Sequence, residues 1–100
     1  MFRQVRMNRW RPDASREAVQ AAIAALSELP GKIPSIRGLQ LHESAADEGD
    51  DFDLVLIIDF DDEQSFEQYL QNPEHLRVVQ GLIAPIIESS SRIRCHVAQP

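Results

Sequence analysis

Residues 52–60 (Phe-Asp-Leu-Val-Leu-Ile-Ile-Asp-Phe) constrain the fold more than any other segment of this 100-residue chain. In an extended backbone, alternate side chains point to opposite faces. Phe52, Leu54, Leu56, Ile58 and Phe60 then form one continuous apolar face. Asp53, Val55, Ile57 and Asp59 form the other, which is apolar in its middle. A strand that is apolar on both sides belongs inside a sheet whose two faces are both covered. In a chain this short, helices can supply only one of the covers.

The remaining elements follow from periodicity and punctuation. Residues 2–10 alternate, with Val5 and Met7 on one face and Gln4, Arg6, Asn8 and Trp10 on the other. Pro12 ends that strand because proline has no N–H to give a ladder. Asp13 is the expected N-cap of a helix over about 14–29. Val19, Ala22, Ile23, Leu26 and Leu29 fall on one face of it. Pro30-Gly31 is expected to stop it. A second strand is expected near 36–43, a solvated hairpin loop at 44–51, and the both-sided strand at 52–60. Asp61 or Asp62 would cap a helix over about 62–71, with Phe66, Tyr69 and Leu70 inward. Pro73 opens a further helical stretch to about Glu88, bent by Gly81 and Pro85. A last strand at about 91–98 carries Ile93, Cys95 and Val97 on one face and Arg92, Arg94 and His96 on the other.

The order β-α-β-β-α-β is the ferredoxin-like α+β pattern, a four-stranded antiparallel sheet with helices on one face. Residues 1–100 read as a single domain. Val55, Ile57 and Trp10 are expected on the face without helices, and a symmetric second copy is the simplest cover for it.

Composition narrows the function. A net charge of −6 argues against nucleic acid, which a protein holds by releasing counterions from a basic surface. No apolar run approaches the length of a membrane span, and Arg3, Arg6, Arg9 and Arg11 break up the N-terminus too often for a signal peptide. The lone Cys95 permits no intrachain disulfide and makes the cytoplasm the default location; its alternation with Ile93 and Val97 makes it a small buried hydrophobe. Five of the ten basic residues lie in 1–16, and ten of the sixteen acids lie in 43–63, Asp47 and Glu48 among them. The two stretches either neutralise each other side by side or leave an ionic site between them. His42 and His96 stand alone without ligand spacing, so no metal is expected.

The stretch Tyr69-Leu70-Gln71-Asn72-Pro73-Glu74-His75-Leu76, with Val79 and Ile83-Ala84-Pro85 after it, resembles the stress-responsive dimeric α/β-barrel (Dabb) family. The first strand running into Arg11-Pro12 and Phe60-Asp61-Asp62 opening the second helix carry the same resemblance, which covers essentially the whole chain. It implies a homodimer whose sheets pack face to face, with ligands inside the barrel or between sheet and helices. The wider superfamily includes monooxygenases, haem-degrading enzymes and polyketide cyclases. His75 and Tyr69 match the histidine and tyrosine of family cyclases, whereas their first-strand histidine is Gln4 here. Glutamine cannot take up a proton near neutral pH.

Two function classes follow. The first is a binding or stress-associated protein for a small anionic or aromatic molecule, with Gln4, Arg6, Asn8, Trp10 and Arg94 as ligand-binding residues. These are expected to look into the dimer barrel, Asp53 and Asp59 neutralising part of their charge; the alternative there is a self-satisfied polar seam. The second is a cofactor-free enzyme with His75 as general base and Tyr69 as positioning group. Against both stand ordinary structural roles, His75 capping a helix segment and Tyr69 filling the core. No cofactor is expected in either class.

Overall fold

The four strands β1 (Phe2–Trp10), β2 (Ile36–Glu43), β3 (Leu54–Phe60) and β4 (Ile87–His96) form one antiparallel sheet in the order β2-β3-β1-β4. The computed structural model describes residues 1–46 and 49–98, so Asp47 and Glu48 of the expected hairpin loop lie outside the described residues. The helices are α1 (Arg16–Lys32), α2 (Glu63–Gln71) and α3 (Pro73–Val78), and α3 runs on into a π-helical turn over Val79–Ile83. This is the ferredoxin-like α+β fold.

The most apolar face of β3 receives the helices. Leu54, Leu56, Ile58 and Phe60 meet Val19, Ala22, Leu26 and Leu29 of α1 and Phe66 and Tyr69 of α2 in one buried core. Each fully buried aliphatic or aromatic side chain there contributes roughly 1.5–3 kcal/mol. Phe60 and Phe66 meet edge-on, with ring centroids 5.6 Å apart.

Register decides which face of β1 joins that core. Phe2 pairs with Phe60, Gln4 with Ile58, Arg6 with Leu56 and Asn8 with Leu54. Directly paired residues share a face, so Gln4, Arg6 and Asn8 look toward the helices and not into a dimer barrel. Trp10 also packs against the helix-side core rather than on the open face. The open face is built instead by Val5, Met7, Val55 and Ile57, with Ile93 opposite Val5 at the edge. Ile93 is 63% exposed. Cys95 sits on that face opposite Arg3, half-buried.

Several boundaries move for local reasons. Ser15, not Asp13, caps α1, its hydroxyl accepting from the Ala18 N–H at 3.1 Å, while the Asp13 carboxylate turns to Arg11. The helix passes through Pro30 to Lys32 because the Ile33 N–H still bonds the Leu29 carbonyl at 2.8 Å and Ile33 is buried. The stretch from Pro73 stops short of Glu88, and β4 begins at Ile87 because Ile87, Ser89 and Ser90 find partners on β1.

The basic and acidic stretches do lie side by side. Arg3 holds Asp59 through two hydrogen bonds of 2.7 and 2.9 Å, and Arg16 holds Glu43 at 2.9 Å. Asp59 therefore serves Arg3 on the open face, and the Asp53 carboxylate accepts from the Trp10 backbone N–H. Neither neutralises the arginines of the helix-side face.

Candidate functional site

The site begins at a break between two helices. Asp62 starts α2, accepting from the Ser65 N–H at 2.8 Å. Asn72 ends α2 and caps α3: its N–H reaches the Tyr69 carbonyl and its side-chain oxygen accepts from the Glu74 N–H at 2.9 Å. Pro73 occupies the first turn of α3, where no donor is lost. The corner folds His75 back onto Tyr69, with ring centroids 4.1 Å apart. Tyr69 also contacts Phe60 and Phe66, so its ring is core while its neighbourhood is cavity.

Between this corner and the sheet lies a cavity of about 110 Å³, lined by Gln4, Arg6, Asn8, Leu26, Leu56, Tyr69, Leu70, His75, Val79 and Ile83. Of the sequence-nominated residues, Gln4, Arg6, Asn8, Tyr69 and His75 meet here. Arg94 stands beside them on β4, donating to the Gln4 side-chain oxygen at 3.1 Å with its guanidinium 4.9 Å from the centre of the Phe66 ring. Trp10 does not take part; it lines a separate open depression with Pro12, Ala14 and Val19.

Burial sets the electrostatics. It holds the His75 imidazole below its usual pKa; the Leu70 backbone opposes this and the Arg6 charge adds to it. His75 is therefore neutral at neutral pH. Burial pushes the Tyr69 phenol up to about 12, against the pull of Arg6. The Arg6 guanidinium is lowered first by burial and then by repulsion from Arg92, with Arg94 adding a smaller repulsion. Among the described residues, two buried side-chain polar atoms have no hydrogen-bond partner, Asn8 Oδ1 and His75 Nδ1. An orphaned buried acceptor costs about 1–3 kcal/mol, and both of these belong to residues lining the same cavity.

The apolar lining from α3 and the π-helical turn carries no signal in residue type alone. His75, Val79 and Ile83 recur every four residues, a helical spacing that brings them to one side. The turn is closed by the Ala84 N–H bonding the Val79 carbonyl at 2.8 Å. Wide turns of this kind occur often at functional sites.

The stress-responsive A/B barrel domain family matches residues 2–95. The chain belongs to the Dabb family. Solved structures similar to this Dabb chain share its fold. A dimeric ferredoxin-like protein of unknown function from Thermobifida fusca YX is 24% identical with a TM-score of 0.85, the alignment covering 96% of this chain and 90% of that one. A dimeric protein of unknown function from Bacteroides fragilis NCTC 9343 is 21% identical with a TM-score of 0.80, covering 96% and 95%. The hydroxynitrile lyase from Passiflora edulis is 16% identical with a TM-score of 0.86, covering 99% and 94%. No curated protein sequence matches this Dabb chain. Among its described residues, no helix is long and apolar enough to cross a membrane.

Proposed function

We propose that this Dabb protein binds a small polar molecule in the cavity under the α2–α3 corner. In this reading it works as a homodimer closed through the open face of the sheet. One observation carries the binding reading: Asn8 Oδ1 and His75 Nδ1, both buried and unpartnered, belong to residues lining one cavity. Buried polar groups are almost always satisfied, and a pair left unsatisfied beside a cavity awaits a partner. The exposed apolar residues Met7 and Ile93 support the dimer, as do relatives of the same fold that are themselves dimeric. Native mass spectrometry of the freshly purified protein tests both parts. The expected result is a dimer carrying a discrete non-covalent mass, absent from Asn8→Leu. A monomer overturns the assembly. An empty dimer that also fails to gain mass from a small-metabolite extract overturns the binding site.

A second reading, a cofactor-free enzyme, draws support from the state of His75. Held neutral by burial, with the proton on Nε2, its Nδ1 can take a proton from an acidic C–H, the electron pair moving onto a carbonyl oxygen facing Arg6. The hydroxynitrile lyase of the same fold is a relative that does chemistry. Solvent deuterium incorporation into an enolisable β-keto acid, abolished in His75→Gln, is the expected outcome. Exchange no faster than in buffer removes this reading and leaves binding alone.

A further inference from the structure

The arginines of this chain fall into two groups. Arg3, Arg9, Arg11, Arg16, Arg37 and Arg77 each hold a carboxylate within 4.0 Å. Among the described residues, Arg6, Arg92 and Arg94 hold none. The unpaired three share the helix-side face of two neighbouring strands, where the register sets Arg6 opposite Arg92 and Gln4 opposite Arg94. Arg94 at least has the Gln4 oxygen and the Phe66 ring. Among the described residues, Arg6 and Arg92 make no side-chain hydrogen bond, and Arg6 has only the nearby Tyr69 phenol to set against the repulsion of Arg92 and Arg94.

Like charges placed directly across an antiparallel pair destabilise a sheet. Edge-strand charges that block unwanted pairing account for Arg92 and Arg94 on β4. They do not account for Arg6, which lies on an interior strand, half-buried, and lines the cavity beside His75. A guanidinium removed from water without a counterion is unfavourable, and an anion between Arg6 and Arg92 removes both the repulsion and the desolvation cost. Arginine suits a carboxylate because its planar fork matches the two oxygens.

Asn8 and His75, which line the same cavity, ask for something different. Asn8 Oδ1 can only accept, and His75 is neutral. A carboxylate has no proton to give Asn8 Oδ1 at neutral pH, but a hydroxyl can serve both residues. It donates to Asn8 Oδ1 and accepts from His75 when the imidazole proton is on Nδ1. Size limits what lies between. At about 110 Å³ the cavity is smaller than the roughly 150 Å³ that holds a benzene ring.

We infer that the ligand is a short-chain hydroxy acid, its carboxylate held at the cavity mouth by Arg6 and Arg92 and its hydroxyl turned inward to Asn8 and His75. This rests on the small-molecule reading above and names the ligand's chemistry.

The probes are lactate, its neutral isostere lactamide, acetate and inorganic phosphate, titrated at constant ionic strength while the Asn8 side-chain amide and His75 imidazole signals are followed by NMR. Lactate is expected to saturate both signals and to bind about tenfold or more tightly than lactamide, the worth of a charge-assisted hydrogen bond. Acetate, lacking the hydroxyl, should bind more weakly than lactate. Arg6→Gln should bring lactate and lactamide to equal affinity. Arg92→Gln, on the exposed edge strand, should narrow the difference without threatening the fold. Equal affinity of lactate and lactamide in the wild type, with both signals moving, overturns the carboxylate and leaves the small-molecule site standing. Phosphate binding more tightly than lactate and lost in Arg6→Gln overturns the hydroxy acid in favour of a phosphate ligand. If no probe moves either signal the inference falls, and native mass spectrometry separately decides whether the cavity binds anything.

Discussion

The imidazole of His75 lies 4.1 Å, centroid to centroid, from the ring of Tyr69, although a helix end, a cap and a proline separate the two in sequence. That contact ties the second helix segment to the aromatic core and leaves His75 Nδ1 buried without a partner. Both residues therefore have a structural role, and the proposed function gives His75 a second one.

The buried imidazole links stability to pH. Its folded pKa lies below the ordinary value of 6.5 because burial disfavours the charged form. The unfolded chain therefore binds the proton more readily, and stability falls as pH drops below about 6.5 until the folded group is itself protonated. Denaturant melts between pH 7.5 and 5 should show this decline, and His75→Gln should flatten it. An unchanged slope in the variant assigns the pH dependence to other groups.

Asn8 is predicted to trade stability for function. Asn8 is 3% exposed with an orphaned oxygen, so Asn8→Leu removes an unsatisfied group while keeping the branched side-chain skeleton, its two methyls extending into the cavity. The variant should gain roughly 1 kcal/mol and, for a domain of this size, melt about 4–8 °C higher. It should also lose the bound mass seen with the wild type. A destabilised variant would mean that Asn8 Oδ1 has a partner in solution, such as an ordered water.

The core predicts a large and local loss. Phe60 is fully buried and touches both Phe66 and Tyr69. Phe60→Ala should cost about 3–5 kcal/mol, read from the urea midpoint at unchanged slope. A cost under 1 kcal/mol would show that the helix layer repacks freely over β3.

The open sheet face predicts the assembly. Ile93 is 63% exposed in the single chain and lies opposite Val5. Ile93→Asp introduces a charge that a face-to-face sheet interface would have to desolvate. Sedimentation should show a dimer for the wild type and a shift toward monomer for the variant. Equal masses for both proteins place the interface elsewhere.

Much of the fold was legible because its signals are local. The alternation over 52–60, the Asp62 cap and the Asn72-Pro73 break need only neighbouring residues to act. Boundaries set by distant partners were less legible. The serines that open β4 have low strand preference and extend only because β1 lies beside them. Pro30 reads as a stop, yet α1 continues past it because Ile33 is pulled into the core.

The sequence by itself determined that residues 2–10 form a strand with Gln4, Arg6 and Asn8 on a common face, and that His75 follows a helix break close to Tyr69. It did not determine which way that face looks. The sequence reading expects Gln4, Arg6 and Asn8 to look into a dimer barrel, away from the helices. The tertiary structure decided otherwise. Both helices need the most apolar surface available, which is Leu54, Leu56, Ile58 and Phe60 of β3, and the register of β1 on β3 carries Gln4, Arg6 and Asn8 under the helices with them. A strand's two faces are encoded within the strand, but the side that is covered is encoded in its partners. That is why the polar residues of the cavity could be named from the sequence while their location, and the charge of Arg6 beside His75, emerged only from the assembled sheet.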